Sequence, residues 1–63
     1  MKFISSIQDG TAVHVVAVDQ DGVIHVDTHW AGRDGTVRCN ELVFTDHAAG
    51  ELVTALRSAL AVV

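Results

Sequence analysis

The chain has 63 residues, eight acidic against four basic for a formal charge of −4, and a single cysteine, Cys39. One domain at most fits this length, an intrachain disulfide is excluded, and the scattered positive residues Lys2, Arg33, Arg38 and Arg57 provide no basic run for nucleic-acid phosphates or anionic lipid. A chain so short buries only about 60% of the surface it exposes when unfolded, so it usually needs a disulfide, a metal or a partner subunit to be stable. Hydrophobic content of 49% and a mean hydropathy of +0.35 leave apolar surface to spare. A homodimer or larger homo-oligomer is therefore expected.

The N-terminus, MKFISSIQDG, lacks the apolar core of a signal peptide. No segment approaches the ~18 continuous apolar residues of a membrane span. With a lone cysteine, these features point to the reducing cytoplasm and to no membrane partner. The alanine-, valine- and aspartate-rich composition, with one lysine and no proline, resembles bacterial or phage coding sequence of high GC content.

Three Asp-Gly dipeptides, Asp9-Gly10, Asp21-Gly22 and Asp34-Gly35, punctuate the first part of the chain at spacings of 12 and 13 residues. Asp-Gly between apolar runs is a strong hairpin signal because glycine tolerates positive φ. The spacing predicts an antiparallel meander: Lys2 to Gln8, Thr11 to Val18, Val23 to Trp30, and about Thr36 to Phe44. Asp19-Gln20-Asp21-Gly22 suits a type I turn with a glycine bulge, which would pair Val18 with Val23 and set His14 opposite Asp27. A two-residue turn at Asp21-Gly22 would move partners by two and keep the same faces.

On that register Val13, Val15, Ala17, Ile24, Val26, Thr28 and Trp30 form a core face. Ala12, His14, Val16, Val18, Val23, His25, Asp27 and His29 form the reverse face. Phe3 and Ile7 of the first strand are expected to join Val16, Val18 and Val23 there as a self-association face.

From Thr45 the period changes. Thr45-Asp46 suits a helix N-cap, and Ala49, Leu52, Val53, Leu56, Ala59, Leu60 and Val63 then recur at helical spacing. A helix from Asp46 to Ala61 would run about 24 Å. Gly50 within it costs ~1 kcal/mol relative to alanine unless close packing uses its small size. The expected fold is α+β, ββββα: a four-stranded antiparallel meander sheet with one C-terminal helix packed on one face.

His14, Asp27 and His29 are the candidate metal ligands. Alternation places His25, Asp27 and His29 on one face, and a histidine from the neighbouring strand could complete a nitrogen-and-carboxylate site of the kind zinc accepts. His25 and His29, about 13 Å apart along the strand, are too distant to share an ion. No paired-cysteine zinc spacing occurs, and solvated polar residues on a half-buried strand give the same pattern. Cys39 is expected opposite Trp30 in the core, and His47 beside Asp46 at the exposed helix start.

No phosphate loop, nucleophile elbow or acid/base pair is present, so no catalytic residue is assigned and no enzyme is expected. Four strands followed by a helix is also the broad order of some single-stranded nucleic-acid-binding coactivator domains. That likeness is one of topology alone, and such binders need basic grooves and stacking aromatics. The leading expectation is a small interaction or accessory module of unknown protein partner, self-associating through its uncovered sheet face. The alternatives are a metal-binding protein, with zinc as the candidate ion, and, behind it, a single-stranded nucleic-acid binder.

Overall fold

Each of the first three strands ends at a turn that its own residues dictate, and the fourth runs into a helix cap. In the computed structural model, which describes residues 1–63, β1 (Lys2–Asp9), β2 (Ala12–Val18), β3 (Ile24–Ala31) and β4 (Val37–Phe44) form one antiparallel sheet in the order β1-β2-β3-β4. The helix α1 (Asp46–Leu60) follows. The ββββα order and the strand limits agree with the sequence to within a residue or so.

The β1–β2 turn is two residues, Gly10-Thr11, between the paired Asp9 and Ala12. Gly10 has φ +59 and Thr11 has no positive φ, the type II′ pattern with glycine first. The other two turns share a different geometry. Gly22 N–H donates to Asp19 O (3.1 Å) and Asp19 N–H to Val23 O (3.0 Å); Gly35 N–H donates to Gly32 O (3.0 Å) and Gly32 N–H to Thr36 O (2.7 Å). Each is a three-residue loop that ends on a glycine with φ near +80, a type I turn with a glycine bulge.

That loop length corrects the expected register. The turn type is as anticipated, but Asp19 is itself the residue that faces Val23, so Val18 pairs with Ile24 rather than Val23. A shift of one residue exchanges the faces of one strand relative to the other. His14 therefore lies opposite Thr28, Val15 opposite Asp27, and Val16 opposite Val26. One face of the sheet gathers Ile7, Ala12, Val16, Val18, Ile24, Val26, Trp30, Leu42 and Phe44, interrupted by the row His14, Thr28 and Asn40 and bordered by Lys2, Ser5 and Asp9 on β1 and Arg38 on β4. We refer to it as the apolar face. The other carries Val13, Val15, Ala17, His25, Asp27, His29, Cys39, Glu41 and Val43, and is the ionisable face.

In β1 the register slips between Phe3 and Ser5. This bulge on an edge strand moves Phe3 to the ionisable face, opposite Ala17, while Ile7 stays on the apolar face. A kinked edge also blunts unwanted strand pairing.

The helix is capped as its first residues foretell. Thr45 Oγ1 accepts from Ala48 N–H at 3.2 Å, a cap that contributes about 1 kcal/mol. Asp46 puts negative charge in the first turn and Arg57 positive charge in the last, both favourable to the helix dipole.

The contact of α1 with the sheet is limited to its first turn and lies chiefly at β4. No residue of the helix is buried, and none of the 63 residues is. The helix meets the sheet at β4, where Phe44, Ala48 and Ala49 are half-buried, and then leaves it. The molecule is a plate of 37 × 35 × 15 Å with a Cα radius of gyration of 13.4 Å, against about 11 Å for a compact chain of this length. Its backbone hydrogen bonding is nevertheless at the ordinary level: 42 backbone–backbone hydrogen bonds match the roughly two-thirds of one bond per residue found in folded domains. Secondary structure is finished and a core is missing. No helix is long and apolar enough to cross a membrane.

Candidate functional site

The most built cluster of chemistry-bearing side chains sits on the ionisable face, at the end of the β2–β3 hairpin. Strand alternation in β3 brings His25, Asp27 and His29 to that face, and β4 sets Val43, Glu41 and Cys39 beside them in turn. Asp19, at the mouth of the turn, supplies the other side.

Asp19 organises this corner. Its Oδ1 accepts from Asp21 N–H (2.9 Å) and Val23 N–H (3.0 Å), closing the loop. Its Oδ2 lies 3.0 Å from His25 Nε2. The His25 side chain is only 16% exposed, and its Nδ1 lies 3.7 Å from Glu41 Oε2. The hydrogen bond to Asp19 raises the His25 pKa above its ordinary 6.5, helped by the charge of Glu41 and opposed by burial. The same bond, with the backbone N–H of Val23, lowers the Asp19 pKa below 3.8.

Nδ1 of His25 and Oδ1 of Asp27 are shielded from water and have no hydrogen-bond partner within the chain. Beside them a shallow depression of about 240 Å³ is lined by Asp27, His29, Cys39, Asn40 and Glu41. At the second loop Asp34 Oδ1 accepts from Thr36 Oγ1 (2.6 Å) and Thr36 N–H (3.1 Å). The Thr36 hydroxyl is the larger cause of the lowered Asp34 pKa, the backbone bond the smaller.

The proposed metal trio is divided by the register. Asp27 and His29 stand on the ionisable face, whereas His14 is on the apolar face, with Nδ1 2.8 Å from Thr28 Oγ1. No group of three His, Cys, Asp or Glu side chains is placed to hold an ion. The five residues assigned to self-association are also divided. Ile7, Val16 and Val18 share the apolar face; the bulge moves Phe3 to the reverse side, and Val23 faces Asp19 at the turn. Cys39 is exposed rather than in the core, opposite His29 instead of Trp30. His47 is exposed at the helix start as expected, 3.3 Å from Glu51.

Asp19 and Glu41 are the members of the cluster that the strand pattern did not single out. The signal for Asp19 was present: an aspartate opening an Asp-x-Asp-Gly turn, with a histidine six residues on. It becomes a same-face pair once the loop is counted as three residues. Glu41 carried no local signal, because its place depends on the β3–β4 register.

Comparison with protein-family models, with curated proteins and with solved structures found no match.

Proposed function

We propose that this chain is a small interaction module that works as a homodimer, using its apolar surface for self-association and presenting its ionisable face to a protein partner. The observation that carries this reading is the absence of any buried residue in a chain whose backbone hydrogen bonding is at the level of a folded domain. A compact monomer of 6.7 kDa exposes about 3,900 Å². This chain exposes 5030 Å², so the excess is about 1,100 Å² per copy on that scale. A pair that removed it would bury roughly 2,200 Å² in total, the size of an obligate homodimer interface.

The surface left free would be acidic. Asp19 and Glu41 flank His25, Asp27 stands opposite Glu41 on the same face, and the chain carries a formal −4. Such a face complements a basic patch on a protein and repels nucleic-acid phosphates. The role is one of binding, and no reaction is assigned to it. Cys39 as a free thiol is at home in a reducing cytoplasm.

Sedimentation equilibrium at micromolar concentration tests the reading. The expected mass is twice the 6.7 kDa of the chain. A folded monomer at these concentrations overturns it.

A further inference from the structure

We propose that α1 is an exchanged arm: in the dimer, the helix of each copy lies across the apolar sheet face of its partner. This deepens the self-association reading and rests on it, committing to one occupant of that face, a second copy of the same chain.

The hinge is the first argument. Thr45 is the only residue between the last residue of β4, Phe44, and the first of α1, Asp46. It is extended, with φ −67 and ψ 163. Both of its oxygens are committed to the helix: Oγ1 accepts from Ala48 N–H, and the carbonyl accepts from Ala49 N–H at 2.9 Å. Through this single residue the helix leaves the sheet, meeting it chiefly at β4 and standing exposed from Gly50 onward. Folding back over its own sheet requires a reversal of the chain, for which connections between strands and helices commonly use about 2–6 residues. Reversal here would break the cap. Short hinges of this kind favour exchange between copies.

Exposure along the helix is the second argument. Leu52 is 38% exposed, Leu56 54% and Leu60 72%. The apolar stripe thus emerges from its own sheet turn by turn, and only its first turn is sheltered there. What the stripe needs is a surface that the chain cannot bring to it.

The apolar face is the third. It is uncovered, and its dimensions fit. Fifteen residues of helix span about 22 Å, and strands of seven or eight residues span about 25 Å. Its polar interruption is partly self-satisfied, since His14 and Thr28 hydrogen-bond to each other and are not both orphaned when covered. On the helix, Glu51, Thr54, Arg57 and Ser58 lie on the side away from Leu52, Leu56 and Leu60. A two-fold arrangement makes the contact reciprocal: each copy gives an arm and receives one. The surface excess of about 1,100 Å² per copy is the area such an exchange has to remove.

Isotope-filtered NMR distinguishes this geometry from other dimers. Chains uniformly labelled with ¹³C and ¹⁵N are unfolded, mixed in equal amount with unlabelled chains and refolded, and the mass is checked by sedimentation. The expected result is a dimer with interchain NOEs from Leu52, Leu56 and Leu60 methyls to Val16 and Val26 methyls and the Trp30 indole. A dimer whose interchain NOEs join Val16 and Val26 of one copy to those of the other, with none to the helix, overturns the exchange and leaves self-association standing. A monomer with only intrachain helix-to-sheet NOEs overturns both.

Discussion

Every residue of β2 is half-buried, whereas every residue of α1 from Gly50 onward is exposed. β2 is the more apolar, six of its seven residues against eight of fifteen in α1, yet even the leucines of the helix stripe are exposed, so the difference lies also in where each finds shelter. A strand in the middle of a sheet must hydrogen-bond to its neighbours, and those neighbours bring side chains against it on both flanks. A helix satisfies its own backbone and can therefore form without any neighbour, leaving its apolar stripe for a later contact. Fifteen helical residues alone are marginal in water. The hairpin is stabilised inside one chain; the helix depends on what it docks against.

Leu56→Asp should separate the two regions most strongly. It places a charge in the centre of the stripe and removes the burial of two leucines per dimer, about 1.5–3 kcal/mol each. The dissociation constant should rise at least about 100-fold, seen as a monomeric mass in sedimentation, with loss of helical signal at 222 nm. An unchanged dimer would mean that the stripe is not used.

A matched pair of glycine substitutions should act with opposite signs in the two regions. Gly22 has φ +80, and an added Cβ meets nothing within 4 Å, so the cost of Gly22→Ala is conformational, about 1–2 kcal/mol. Gly50 also has open space around its Cβ position but no positive φ. Gly50→Ala should therefore stabilise by roughly 1 kcal/mol. Urea denaturation midpoints give both values, and equal signs would contradict the contrast.

The smallest effect concerns the corner where Asp19 meets His25. Because the folded-state pKa of His25 is raised above 6.5, its stabilising contribution is complete below that value and is lost as pH rises through the raised one. Asp19, lowered from 3.8, contributes above 3.8 and loses its contribution as pH falls through its folded value. The hairpin should thus be most stable between about pH 4 and 6.5. Asp19→Asn should flatten the difference in melting temperature between pH 5.5 and pH 8, with a remainder from Glu41. Protonation of His25 draws it toward carboxylates.

The parts of the fold legible in the sequence are those set by nearby residues. Asp-Gly marks a turn because of glycine's own dihedral freedom, and Thr45-Asp46 marks a helix start because of one side-chain oxygen. The parts that were not legible depend on a parity or on a distant surface. Whether Asp19 belongs inside the loop or beside it is a matter of one residue, yet it decides whether His14 stands with His29 or behind it. The bulge after Phe3 reverses that residue in the same way. Packing of α1 on the sheet was inferred from amphipathicity, which states that the helix needs a surface but not whose. The proposed exchange turns on the one-residue hinge, whose meaning emerges only when the direction of β4 is known.

The order β1-β2-β3-β4 also has a kinetic consequence. Every strand pairs with its sequence neighbour, so each hairpin closes a loop of two or three residues and little chain entropy opposes it. Sheets of such local pairing fold fast for β structure, and hairpins form in about 1–10 μs. The sheet can therefore be in place while copies of the chain are still apart. For the proposed dimer, collision between copies then becomes the slow step, and the rate at which the paired protein accumulates is expected to depend on its concentration rather than on its topology.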